Sequence, residues 1–228
     1  MSATPVDWSA FQISLKLAAW TSLLLLPVGI LAGRALAWTP FRGRTAVEAA
    51  IMLPLVLPPT VLGYYLLVGL GPQSLVGSGL ERATGRGLVF TFEGILVASM
   101  IFNIPFAIQP MQRAFEAIPA NLREAAWVSG LSSFETFVRV ELPLAWPGLV
   151  SATALVFAHT LGEFGVILMV GGNIPGETQT LAIAVYDRVQ AFENSAAAAM
   201  AAVLLAFSFF AIFVVHLTTG RRRRHDRG

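Results

Sequence analysis

The chain has no cysteine, which excludes a disulfide framework and a thiolate metal site. It has one lysine, Lys16, and only 12% charged residues, about half the share of an ordinary soluble domain. No GxxxxGK segment followed by Ser or Thr occurs, so the chain holds no nucleotide through a phosphate-binding loop of its own. HExxH is missing, and the three histidines, His159, His216 and His225, are scattered; no metal site is expected. No nucleophile stands with a base and an orienting group, so no catalytic residue is nominated and the chain is not expected to be an enzyme. A basic n-region is lacking, and the first apolar run is too long for a signal peptide.

What is present is apolar length. Of 228 residues, 56% are hydrophobic, and the mean hydropathy is +0.71. A membrane span needs about 20 mostly apolar residues. Five stretches qualify, at about 11–38, 47–70, 88–111, 146–170 and 196–219. None alternates like a strand, so an all-α integral membrane protein of five spans in one transmembrane domain is expected.

Arginine sets the orientation. Arg34, Arg42 and Arg44, then Arg113, Arg123 and Arg139, then Arg221–Arg224 and Arg227 all fall on one side of a five-span chain. Arg82, Arg86 and Arg188 fall on the other. The expectation is an outer N-terminus, a cytoplasmic loop at 119–143 and a basic cytoplasmic tail at 220–228. The arginine run anchors the tail at the lipid surface rather than binding nucleic acid.

The 119–143 loop has its own grammar. Asn121 with Glu124 has capping-box spacing, Gly130 can end a helix in the left-handed conformation, and Ser132 with Glu135 is a second capping box. Two short helices with an elbow at Gly130 are expected, lying beside the membrane. The outer loop at 171–195 contains an amphipathic stretch, Leu181 to Val189, that is too short and polar to span.

Several features sit inside the spans. Pro54, Pro58 and Pro59 interrupt the second, and Asn103, Pro105 and Gln109 the third. Pro removes a backbone donor and frees a carbonyl; a plain kink and a kink lining a pathway both fit. Gly29 and Gly33 form GxxxG, and Ala154, Ala158 and Gly162 a second small-residue ridge, which suits close helix packing. Lys16 and Glu163 are charges at bilayer depth, each costing about 2.5–3.5 kcal/mol. Their depths match, so an ion pair between spans one and four is expected, with His159, four residues before Glu163, as a third member. The other reading makes Glu163 a pore or proton-relay residue.

The loop residues match a family. Glu124-Ala125-Ala126, three residues, Gly130, nine residues, then Val140-Glu141-Leu142-Pro143 resembles the EAA loop of permease subunits of bacterial binding-protein-dependent ABC importers. Val140 for isoleucine is the one departure. Leu53 to Gly71, Thr160 to Gly165 and Gly172 to Asp187 look like the molybdate branch of that family, and the resemblance covers nearly the whole chain. It implies the type I importer permease fold with two short cytoplasmic coupling helices in the bacterial inner membrane. It also implies a second copy of the chain, two ATP-binding cassette subunits carrying ATP-Mg, and a periplasmic molybdate-binding protein. This chain itself needs no cofactor. The resemblance assigns ATPase coupling to Glu124, Ala125, Ala126, Gly130, Leu142 and Pro143. Asn103, Gln109, Ser151, Thr153 and Thr160 are pore-lining candidates because an oxyanion needs hydrogen-bond donors. Tungstate and sulfate permeases are close cousins. An ATPase-independent channel or secondary transporter and a non-transporting scaffold are the rival classes; no internal repeat favours the former.

Overall fold

The structure is a computed structural model that describes residues 6–220, with side chains described to residue 213. The arginine-rich tail from Arg221 lies outside the described residues.

The first helix, α1 (Trp8–Trp38), starts where the Asp7 carboxylate accepts the Ala10 N–H at 3.0 Å. It is followed by α2 (Arg44–Val56), α3 (Pro59–Leu70), α4 (Leu75–Thr84) and α5 (Phe92–Glu116). The short helices α6 (Ala120–Val128) and α7 (Ser133–Thr136), a π-helical turn (Phe137–Glu141) and α8 (Leu142–Leu144) come next. The last four helices are α9 (Trp146–Gly162), α10 (Gly165–Gly171), α11 (Leu181–Gln190) and α12 (Asn194–Gly220).

Among the described residues, three helices, α1, α5 and α12, are long and apolar enough to cross a membrane alone. The second expected span is not one helix. It breaks at Leu57, and α2 and α3 meet at 108°. Pro58 has φ −54° and ψ 135°, and Pro59 begins the next helix. Two successive prolines remove two ladder donors at one place, which a simple kink cannot absorb. The fourth expected span is also divided, into α9 and α10, because Glu163 leaves helical geometry at ψ 128°. The third starts at Phe92 and not Leu88, since Thr91 caps it by accepting the Gly94 N–H at 3.2 Å.

Side-chain pairs fix the directions. Thr21 donates to Ser99 at 3.1 Å, Gly29 lies against Ala107 and Gly33 against Met111, and Trp38 meets Phe115 edge-on. The two helices therefore run parallel. A Cβ on Gly29 would stand 2.6 Å from the Ala107 carbonyl oxygen, so the GxxxG face serves the close approach expected of it. On the second ridge, nothing within the chain stands within 4 Å of a Cβ built on Gly162, and Gly148 makes the close contact of α9 with α5. That contact, and Thr160 near Ser99 at 3.5 Å, run α9 antiparallel to α1 and α5. Arg44 on Glu116 and Gln112 on Glu48, both at 3.0 Å, make α2 antiparallel to α5 as well. The core is thus α1, α5 and α9. The two helix breaks touch: a Cβ on Gly165 would lie 2.9 Å from Pro59 Cβ, and α3 packs beside α10 through Leu62, Val166 and Val170.

Candidate functional site

The segment from Pro119 to Pro143 forms an elbow at the end of the bundle where α1 and α5 finish. Its first helix does not start as the capping-box spacing predicts. Pro119 occupies the cap position with φ −58° and ψ 134°, no side chain caps the helix, and α6 is already underway at Ala120. Asn121 falls two residues past the cap position, so Asn121 and Glu124 stand exposed on the first turns. Proline's fixed φ suits a helix start without a side-chain acceptor.

The elbow matches the expectation. Gly130 has φ +84°. Its N–H reaches the Trp127 carbonyl at 3.0 Å, and the Leu131 N–H reaches that of Ala126 at 3.1 Å. This paired pattern closes a helix around a left-handed residue. The second capping box also forms: the Glu135 N–H donates to Ser132 Oγ at 3.3 Å, and the Ser132 N–H donates to Glu135 Oε2 at 3.0 Å. The Ser132 N–H and then the Ser132 hydroxyl, both donating to Glu135 Oε2, hold the Glu135 carboxyl below its usual range.

After α7 the chain takes one π turn before α8. That turn ends on Glu141, which is fully buried. Two guanidiniums meet it. Arg34 donates Nε to Oε2 at 2.6 Å and Nη2 to Oε1 at 3.3 Å, and Arg123 donates Nε to Oε1 at 3.1 Å. Arg123 also lies 3.6 Å over the Trp38 ring, and Arg34 sits 5.1 Å from the centre of Phe137. Charge-assisted bonds and ring contacts therefore brace the elbow against α1. The chain then bends by 68° into α9.

The outer surface of the elbow is apolar. Val128 is 89% exposed and Phe134 74%, with Leu122, Trp127 and Val138 also open. A groove of about 470 Å³ runs between α6 and the π turn with α8, past Leu122, Ala125, Leu131, Arg139, Val140 and Pro143. Of the residues nominated for coupling, Glu124, Ala125, Gly130 and Pro143 are exposed. Ala126 is buried and Leu142 half-buried, so these two support the loop from within.

The expected Lys16–Glu163 pair does not form. Lys16 Nζ lies 4.0 Å above the Phe92 ring. Glu163, buried at the α9–α10 break, accepts the Val166 N–H at 2.9 Å. A broken helix exposes backbone donors, and one of them takes the carboxylate in place of a cation. His159 joins neither: its Nδ1 pairs with Asn103 Oδ1 at 3.1 Å, between the rings of Phe102 and Phe106.

The pore candidates sort by their protons. Ser151, Thr153 and Thr160 each donate to the carbonyl four residues back, at 2.7–2.9 Å. A hydroxyl has one proton to give, so none has a donor left for an anion. Buried Asn103 spends its amide on the Ser99 carbonyl at 2.8 Å. Gln109 differs: its amide faces Met52 Sδ, and it lines an open cleft of about 320 Å³ with Glu48, Gln112 and Arg113.

Residues 26–224 match the family described as the binding-protein-dependent transport system inner membrane component. The chain belongs to that family. It is 46% identical over 211 residues to the molybdenum transport system permease protein ModB of Azotobacter vinelandii, covering 92% of this chain and 93% of that one. The ModB of Escherichia coli K12 is 33% identical, with 94% of each chain covered. The probable sulfate transport system permease protein cysT of Chlorella vulgaris is 32% identical, covering 93% of this chain and 79% of that one. Among solved structures, a bacterial ABC transporter involved in alginate import aligns with a TM-score of 0.74 at 20% identity, covering 95% and 78%. The MetNI methionine ABC transporter aligns at 0.66 and 17%, covering 94% and 93%. At those identities the likeness concerns the fold, and it is that of an importer permease, as the EAA-like loop implies.

Within this inner-membrane component, sequence reasoning missed the role of Glu141. It stands at the unspecified position between Val140 and Leu142-Pro143, and its partner Arg34 is 107 residues away. The signal available was a carboxylate among apolar neighbours at the start of a span, with arginines at both loop ends.

Proposed function

We propose that this chain is the membrane-spanning permease subunit of an ATP-driven importer that carries molybdate across the inner membrane by alternating access. The observation that carries this reading is the elbow: two short helices joined at a left-handed Gly130, the second held by a capping box, with an exposed, largely apolar groove, on an all-helical membrane bundle that has no nucleotide-binding loop. Such a surface receives work from another chain. The occupant of the groove is an ATP-binding cassette subunit, one per copy of a permease homodimer, and ATP-Mg is bound and hydrolysed there. A two-fold pair puts the pathway on its axis. The N-terminus faces the periplasm, where the molybdate-binding protein delivers solute, and the elbow and tail face the cytoplasm.

In this scheme closure of the ATPases moves the elbow, and α5 and α9, which flank it, carry the motion into the bundle. Gln109 is the nominated residue with an amide donor at an open surface, so it is the one assigned to the pathway. Sulfate is the second reading, favoured by the relative from Chlorella vulgaris named for sulfate transport. ATP-driven uptake of labelled molybdate into vesicles holding both subunits and the binding protein tests the proposal. Competition by tungstate but weak competition by sulfate is expected. Strong competition by sulfate overturns molybdate as the solute, and uptake without the ATPase overturns the importer class.

A further inference from the structure

We infer that Arg34 is a positioning residue that ties the first span to the elbow, so that α1 is driven together with α9 when the elbow moves. This rests on the proposed importer role, and it assigns a transmission path that the exposed loop residues do not provide. The elbow is joined to α5 and α9 through the backbone. Its link to α1 is made by side chains: Arg34 to Glu141 through two hydrogen bonds at 2.6 and 3.3 Å, with Trp38 stacked on Arg123.

Three observations make the link stiff. Glu141 is fully buried, so water does not compete for its oxygens. The Arg34 contact engages both oxygens through a planar fork, which fixes orientation as well as distance. Higher up, α1 rides against α5 with no room for a Cβ at Gly29 or Gly33, so a push on the Arg34 end is passed along the helix and not absorbed. The two arginines have different tasks. Arg123 lies on α6, 18 residues from Glu141, and bonds to it within the elbow, touching α1 only through the Trp38 ring. Arg34 alone among the two reaches the carboxylate from another span.

That division gives a test in the assembled transporter. Arg34→Ala leaves Glu141 its Arg123 partner, so the elbow stays folded. We expect the complex to co-purify with its ATPase, basal ATP hydrolysis to stay within about twofold, and ATP consumed per solute to rise about tenfold or more. Arg34→Lys keeps one charged donor and recovers part of the loss. Arg123→Ala removes the Trp38 stack but retains the two Arg34 hydrogen bonds to Glu141, and raises that ratio less. The inference is overturned if Arg34→Ala transports at the wild-type ratio, if Arg123→Ala is the more uncoupled, or if Arg34→Ala no longer binds the ATPase, which would make Arg34 a folding residue of the loop. The wild-type complex is measured alongside with molybdate and sulfate. Its failure to carry molybdate overturns the solute assignment, while the stoichiometry of each variant is read with whichever oxyanion is carried.

Discussion

Two buried glutamates sit at the two ends of α9, and they are satisfied in opposite ways. Glu141, before α9, is held by two guanidiniums. Glu163, after α9, is held by the backbone N–H of Val166. The first solution needs partners from distant chain segments and binds three elements into one body. The second is local, three residues long, and binds nothing but its own helix start. A carboxylate in a membrane chain is therefore not by itself a sign of an ion pair. Where a helix is broken beside it, the freed backbone donors compete on equal terms with a cation.

This contrast can be broken at either end. The largest effect is expected at Glu141→Gln, which leaves two arginines around a neutral amide; breaking a buried pair costs about 3 kcal/mol, read as a lower melting temperature of the purified permease complex. Gly130→Val comes next. A β-branched residue at φ +84° costs about 1–2 kcal/mol, and the expected outcome is correctly inserted spans with ATP hydrolysis uncoupled from transport. Normal transport by this variant would refute the lever.

At the other glutamate, Glu163→Ala removes a cap worth about 1 kcal/mol, whereas Glu163→Gln keeps an accepting oxygen and should cost less. If the two destabilise equally, the backbone bond is not what holds Glu163. Because no ion pair exists, Lys16→Met and Glu163→Gln should be additive within about 0.5 kcal/mol in a double-mutant cycle; coupling beyond that would restore the rejected pair. The smallest effect is a pH dependence. The Glu135 carboxyl is depressed on folding by the Ser132 N–H and hydroxyl. Its capping box is thus fully stabilising above the ordinary glutamate value of about 4.3 and is lost as pH falls through the lower folded value. Amide protection in α7 should fall in that acidic window, and Glu135→Gln should flatten the dependence.

The legibility of the chain tracked the range of the interactions. Ser132 and Glu135 are three residues apart, and their box could be read directly. Asn121 and Glu124 have the same spacing, yet Pro119 had already set the helix start, so one spacing had two outcomes. Pro58-Pro59 announced a kink, but the division of the span into two helices at 108° was not foreseen. The break at Glu163 was hidden because apolar runs flank it on both sides; the charge drew attention to a partner and away from the backbone. The family fold was readable from the loop motif. Arg34 with Glu141 was not, since pairing across 107 residues depends on packing that no local pattern encodes.

The π turn at Phe137–Glu141 has a consequence for length. A π turn holds one more residue than the α-helix around it, so the nine residues between Gly130 and Val140 include a surplus one. Removing a single residue there would let the helix close into a regular ladder with its phase nearly kept, because the wider turn carries the extra residue within about the same rotation. Removing one residue from the α-helical part instead would turn α7 and its capping box by about 100° about the helix axis relative to α8. The π turn is therefore the place in this loop where a change of length by one residue can be absorbed.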